Sequence, residues 1–287
     1  ETGIRGGTTG GYPNGSSGIK VGGERVIVDS NIVTNSGAGA IFVTAENGYP
    51  ANGVTISNNR LYNTLYYANG VGYQLIRIPD SAPGTTANDI QILNNVIDTS
   101  TTGINAPYAD NVIVRGNTFR NLAYGMVFYG NNITVDSNYG TDFDIGLPFA
   151  DPATFPAAER GPIFNPSGVS FLTVTNNYFS SGYGTNTGTA IRHLSSDTLV
   201  FNNTFRNFQY DAIDLQPYPF AGWRQNYSNS TTTNIGVVNG EVSLSLADGV
   251  TAPSTVSGVA NIYVDTSDGD LKIKFGDGTV KTIATDT

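Results

Sequence analysis

Two aspartates stand three residues apart in Tyr210-Asp211-Ala212-Ile213-Asp214, and they are the best local pair of carboxylates in the chain. Glycoside hydrolysis needs such a pair, about 5–5.5 Å apart for retention or about 6.5–9.5 Å for inversion. Positions three apart on a flat strand point to opposite faces, so Asp211 and Asp214 converge only if Asp211 lies in the preceding turn. Glu159, on the largest insertion, is placed to supply a third carboxylate. Arg77 and Arg192 suit the orientation of acidic sugars, and Asn105, Tyr108 and Tyr129 offer amide, hydroxyl and ring partners for a sugar. A lyase centre would instead use a base such as His, Tyr or Lys, with an Arg neutralising a uronate. The single histidine, His193, follows Arg192. Strand alternation turns it toward the core, leaving Tyr108 and Tyr129 as candidate bases. No cofactor is implied, and no cluster has metal-ligand spacing. The Asp-Gly pairs at 268–269 and 277–278 read as hairpin turns rather than calcium loops, because no bidentate Glu follows them.

What must position these residues is a repeat. Short apolar-alternating phrases end in asparagine seven times, at Asn31, Asn59, Asn95, Asn117, Asn138, Asn177 and Asn203, with intervals of 28, 36, 22, 21, 39 and 26 residues. The bare unit of 21–22 residues is too short for a strand–helix–strand crossover, which takes about 30. It matches one coil of a right-handed parallel β-helix. In that geometry Asn serves twice: it tolerates a left-handed corner, and stacked amides hydrogen-bond from coil to coil. Each coil carries a second strand, here aligned on its Ile. The outward column then reads Phe42, Arg77, Asn105, Phe128, Phe164, Arg192, Asp214. Coils stack about 4.8 Å apart, which puts Arg192 against Asp214. Long intervals are insertions, the largest at about 140–161, and in a solenoid these map to one functional face.

Composition narrows the setting. The chain has 35 Gly, 16 Tyr and 14 Phe, only 13% charged residues and no cysteine, so it is built without disulfides. An excess of 23 acidic over 14 basic residues, net −9, argues against nucleic acid or anionic membranes as the main partner. No stretch approaches the roughly 18 apolar residues that span a bilayer, so no membrane insertion is expected. The abrupt start, without a polar cap on the first coil, leaves room for further coils upstream. The expected organisation is a β-helix over 1–222, a linker and irregular segment over 223–254, and a small β-meander over 255–287. In the meander, strands such as Asp270-Leu271-Lys272-Ile273-Lys274-Phe275 are joined by Asp-Gly turns. The fold class is all-β, a parallel β-helix followed by an antiparallel module.

A coil of this kind ending in Val256-Ser257-Gly258-Val259-Ala260-Asn261-Ile262-Tyr263-Val264-Asp265 and Asp270-Leu271-Lys272-Ile273-Lys274-Phe275-Gly276-Asp277-Gly278-Thr279-Val280-Lys281 resembles the bacteriophage tailspike and tail-fibre depolymerases of the pectate-lyase-like superfamily. The resemblance covers 17–222 at the level of fold and about 255–287 more specifically. It implies a homotrimer on the virion tail that binds and cleaves capsule, exopolysaccharide or O-antigen. Hydrolysis is the expected reaction. The alternatives are a non-catalytic receptor-binding or structural fibre domain, and a secreted polysaccharide lyase or epimerase. Neither the paired-Asp and Gly-His-Gly pattern of polygalacturonases nor the Asp-Pro-His motif of alginate epimerases is present.

Overall fold

A computed structural model of the chain describes residues 17–34, 36, 39–44, 51–62, 74–78, 87–107, 109–143, 161–164, 171–182, 188–193, 198–208, 210–214, 222–224, 226–228, 252–255, 257–258 and 260–285. Residues 17, 192–193, 210–214, 222–224 and 227–228 are described by their backbone alone. The chain divides into two compact units, Glu1–Val238 and Asn239–Thr287.

The first unit is a right-handed parallel β-helix with three faces, right-handed being the hand that parallel crossovers take. Face 1 stacks β2 (Ile27–Asp29), β5 (Thr55–Ser57), β8 (Ala87–Leu93), β10 (Ala109–Arg115), β12 (Ile133–Asp136), β15 (Leu172–Thr175), β18 (Thr198–Phe201) and β21 (Gly222–Arg224). Faces 2 and 3 are two halves of one sheet. The long strands β9 (Val96–Ala106) and β11 (Thr118–Phe128) run through both halves and turn at Thr99 and Asn121, each in left-handed backbone. Face 2 is completed by β3 (Ile32–Thr34), β6 (Arg60–Tyr62), β13 (Tyr139–Phe143), β16 (Tyr178–Ser181), β19 (Thr204–Arg206) and β22 (Tyr227–Ser228). Face 3 is completed by β1 (Ser17–Gly22), β4 (Gly39–Thr44), β7 (Gln74–Arg77), β14 (Gly161–Phe164), β17 (Thr189–His193) and β20 (Tyr210–Asp214).

Apolar residues stacked in register fill the interior, and one column on each of two faces shows the pattern. On face 1 these are Val28, Ile56, Ile92, Val114, Val135, Val174 and Val200; on face 3 they are Ile41, Ile76, Ile104, Met126, Ile163 and Ile191. Face 2 contributes aromatics to the same core, with Phe143 edge-on to Phe179 at 5.7 Å and Phe179 stacked on Phe205 at 6.4 Å.

The asparagine column runs as the spacing predicts. Every rung donates from both its backbone N–H and its Nδ2 to the Oδ1 of the next rung, from Asn31 to Asn59 and onward through Asn95, Asn117, Asn138 and Asn177 to Asn203, at 2.8–3.1 Å. Nδ2 of Asn117 also reaches back to Ile92 O of the preceding coil, at 2.8 Å. The interior rungs are buried and fully satisfied, as buried polar groups must be.

The structure corrects the double role assigned to this Asn. The left-handed corner belongs to the residue before it: Ser30, Asn58, Asn94, Gly116, Ser137, Asn176 and Asn202 all have φ between 55° and 68°. One residue bends the chain and its neighbour hydrogen-bonds, because an amide aimed into the core leaves its own backbone free to stay extended. The repeat, expected to stop after Trp223, makes one more rung: Asn226 Oδ1 accepts from Asn203 N and Nδ2 at 2.9 Å, and β22 pairs with β19.

The second unit holds an antiparallel meander, β23 (Asn261–Val264), β24 (Leu271–Lys274) and β25 (Val280–Ala284). Its turns contain Gly269 and Gly278 at φ 72° and 90°, the conformation for which Asp-Gly was read. Asp265 and Asp268 both bind Lys272 Nζ, so the acids of the first turn hold a lysine.

Candidate functional site

Pairing along face 3 fixes which residues share one register position, and the side chains described there, from Lys20 to Phe164, lie outside the core. The observed column is Lys20, Phe42, Arg77, Asn105, Val127, Phe164, Arg192, Ile213. Phe42, Arg77, Asn105, Phe164 and Arg192 keep their expected places, and Lys20 joins them from a first coil that carries no Asn-ended phrase to flag it. Two places change. Phe128 pairs with Ala106 and is fully buried in the core, and Val127 takes its position. Asp214 pairs with His193, while Arg192 pairs with Ile213. The cause is the same in both coils. Met126 and Ala212 occupy the position that Ile holds in the other coils, so alignment on Ile slips by one residue, and such a slip exchanges the two faces of a strand.

Asp211 also moves relative to expectation: it lies inside β20, between the pairs Thr189–Tyr210 and Ile191–Ala212, rather than in a preceding turn. That removes the condition under which Asp211 and Asp214 were expected to converge. Glu159 and Tyr108 lie outside the described residues. Tyr129, directly after β11, is 39% exposed.

Within the column the cations and rings interleave. The Phe42 ring has Lys20 Nζ over it at 5.8 Å and the Arg77 guanidinium at 5.2 Å, one from each neighbouring coil. Cations held over an aromatic face keep their charge and are positioned by the ring's quadrupole. Phe164 packs against Tyr124 at 5.3 Å in a small apolar cluster with Ala123 and Val127, separate from the coil core. At about 4.8 Å per coil, Lys20 and Arg77 stand about 10 Å apart along the backbone, and Arg77 and Arg192 about 19 Å apart. No carboxylate stands in this column among the described residues. Chemically, the strip offers positive charge and ring surface in a line.

Two of the described carboxylates elsewhere on the coil are engaged in structure. Asp29 accepts from Ser57 Oγ at 2.6 Å, Asn58 Nδ2 at 2.8 Å and Ser30 Oγ at 2.8 Å, and these bonds hold its carboxyl below the usual range. Burial pushes Asp136 up. Hydrogen bonds from Asn176, Thr175 and Ser137, with the charge of Arg115 at 2.8 Å, outweigh burial and leave it ionised below the usual range. On face 2, Tyr139 and Tyr178 stack in parallel at 5.1 Å with the Arg206 guanidinium 5.9 Å from the Tyr178 ring, a pair that the spacing of the repeat did not single out.

No protein-family model and no curated protein matches the chain. Three solved structures are similar to it. PfbA, a surface adhesin of Streptococcus pneumoniae, aligns over 93% of this chain and 65% of its own, at 14% identity and a TM-score of 0.54. A double mutant of the tailspike protein of E. coli bacteriophage HK620, in complex with pentasaccharide, aligns over 61% of this chain and 34% of its own, at 16% identity and a TM-score of 0.45. An alginate lyase from Paenibacillus sp. aligns over 74% of this chain and 99% of its own, at 13% identity and a TM-score of 0.36. The chain thus spans about a third of the tailspike's length and just under two-thirds of the adhesin's. Identities this low carry the architecture and nothing finer, and the chain is accordingly a right-handed parallel β-helix, the fold it shares with the pneumococcal adhesin.

Proposed function

We propose that the chain binds an acidic bacterial surface polysaccharide along face 3, with Lys20, Arg77 and Arg192 meeting its carboxylates and Phe42, Phe164 and Asn105 its rings and hydroxyls. The observation that carries this reading is the register-aligned column of cations and aromatics on a chain whose net charge is −9. A concentrated positive line on an acidic protein marks an intended anionic partner, because the overall field repels one. Cleavage of the bound chain by hydrolysis is the reaction proposed for it, with Asp214 and Glu159 as its carboxylate pair, Asp211 beside them in β20, and Tyr108 and Tyr129 at the substrate. A homotrimer on a virion tail is the proposed setting.

The second reading is binding without cleavage, as in a receptor-binding fibre or adhesin. It is favoured by the register that separates Asp214 from Arg192 and sets Asp211 within the strand. Incubation with a panel of bacterial capsular and O-antigen polysaccharides, followed by product mass, tests both. Fragments heavier by one water per cut, lost in Asp214→Asn with the fold intact, support hydrolysis. Full cleavage by Asp214→Asn removes Asp214 from the chemistry. Fragments of unchanged summed mass that absorb in the ultraviolet assign a lyase and move the search to Arg77, Arg192 and a tyrosine. Retention without fragments leaves the non-catalytic reading, and failure of Arg77→Ala to weaken retention of acidic polysaccharide sinks the face 3 assignment.

A further inference from the structure

Face 1 carries a concavity whose chemistry differs from that of the face 3 column. Asp89, Gln91, Asn111, Ile113, Asn132 and Thr134 line it, and its volume is about 200 Å³, below the roughly 300–1,000 Å³ of pockets for drug-sized ligands. Its rim is an amide ladder: Asn111 Nδ2 donates to Asp89 Oδ1 at 3.1 Å, and Asn132 Nδ2 donates to Asn111 Oδ1 at 2.8 Å. Each bond uses one of the two N–H groups of its amide, and the other remains for a ligand. Unlike the interior asparagine column, this ladder is at the surface.

The residue at the next rung is, with Arg25, one of two at this corner that are neither Gly, Asn nor Asp, and it alone is aromatic. All the corner's members have left-handed backbone: Arg25 at 56°, Gly53 at 66°, Asp89 at 58°, Asn111 at 55°, Asn132 at 57° and Phe171 at 63°. Gly, Asn and Asp adopt that conformation readily, and a bulky aromatic does so only under strain. Phe171 is held there by its carbonyl, which accepts from Ile133 N at 3.0 Å. The residue is 63% exposed, so burial in the core does not offset the strain. Strained backbone that buys no packing points to function.

We propose that this corner of face 1 is a saccharide subsite for an uncharged sugar ring, which takes its hydroxyl hydrogen bonds from Asn111, Asn132 and Gln91 in the concavity and stacks on Phe171, one rung beyond its lining. Sugar rings present C–H faces that suit an aromatic platform and hydroxyls that suit amides. Charge sets the class. Asp89 at one end repels an acidic sugar, and no cation stands among the described residues that line the concavity, whereas the face 3 column is cationic. The subsite stands independently of the face 3 reading, since it uses other residues on another face.

The test is binding of the full chain to an array of uncharged gluco-, galacto-, manno- and N-acetylhexosamine oligosaccharides. Wild type is expected to bind members of the array. Phe171→Asn keeps a residue suited to the corner but removes the ring. It is expected to lose about tenfold in affinity while its Tm rises by about 2–4 °C from relieved strain. Phe171→Tyr retains binding, and Arg77→Ala leaves the array result unchanged even where it abolishes retention on acidic polysaccharide. The proposal is overturned if wild type binds no uncharged glycan, if Phe171→Asn binds like wild type, or if its Tm falls, which would show that the ring packs.

Discussion

The interior asparagines act as cross-braces whose value depends on their place in the row. Asn117 sits in the middle: its Oδ1 accepts from Asn95 N and Nδ2, and its Nδ2 donates to Asn138 Oδ1, Ile92 O and Arg115 O. Asn117→Ala strands these buried partners, each at about 1–3 kcal/mol. We expect a loss of about 3–5 kcal/mol in urea unfolding. Asn31 opens the row and is only partly buried, and its own side-chain bonds reach Asn59 and Asp29. Asn31→Ala is expected to cost about 1 kcal/mol, the net worth of an ordinary hydrogen bond. Equal losses at the two positions would refute a cooperative column. The column was legible in the sequence because a rung must recur once per coil. Its division of labour was not, since Ser30, Gly116 and Ser137 carry the left-handed turn without any shared residue type. Phe171 was illegible for the opposite reason, being an aromatic where the backbone favours Asn or Gly.

Among the elements, β11 and β14 approach so closely that a side chain has no room between them at one point. A Cβ on Gly125 would stand 2.6 Å from Pro162 O and 2.9 Å from Phe143 Cε1. The carbonyl belongs to paired backbone and cannot give way, so Gly125→Ala is expected to destabilise by about 1–3 kcal/mol, the range of overpacking. A urea midpoint unchanged from wild type would show that the two strands can part. The same strands show where reading by pattern ends. Ile41, Ile76 and Ile104 mark the register plainly, but Met126 and Ala212 fill the same slot with different shapes. A pattern keyed to one residue type then misplaces Phe128 and Asp214 by a single step. The extra rung at Asn226 was hidden likewise, because β22 is two residues long and has no apolar alternation.

At the scale of the whole molecule, the two units respond to solution conditions in different ways. The coil depends on neutral amides and apolar burial. The meander depends on charge: backbone and side-chain hydrogen bonds from Ser267, then Lys272, bring the Asp265 carboxyl down to about 2 from 3.8. Asp268 and then Asp265 push Lys272 up to about 12 from 10.5. A depressed acid stabilises the fold above its unfolded value and loses that contribution as pH falls toward about 2. A raised base stabilises below its unfolded value and loses that contribution as pH rises through about 12. The Ile273 methyl signals of the meander are therefore expected to hold steady from about pH 4 to about pH 10.5 and to move outside that window in the full chain. Lys272→Met should abolish the alkaline change and raise the pH at which the acid change begins, and an unaltered profile in that variant would exclude the clamp.

The backbone N–H and one amide N–H of each asparagine rung face the next coil and the Oδ1 acceptor faces the one before, so the column has a direction. A ribosome also works in one direction, from lower to higher numbers. Each newly finished coil therefore exposes two N–H groups at the place where the following rung will arrive, and the completed part serves as the mould for what comes next. A coil inserted in the laboratory between two rungs will seat only if its amide faces the same way. Such an insert therefore reads out a polarity that no single coil displays.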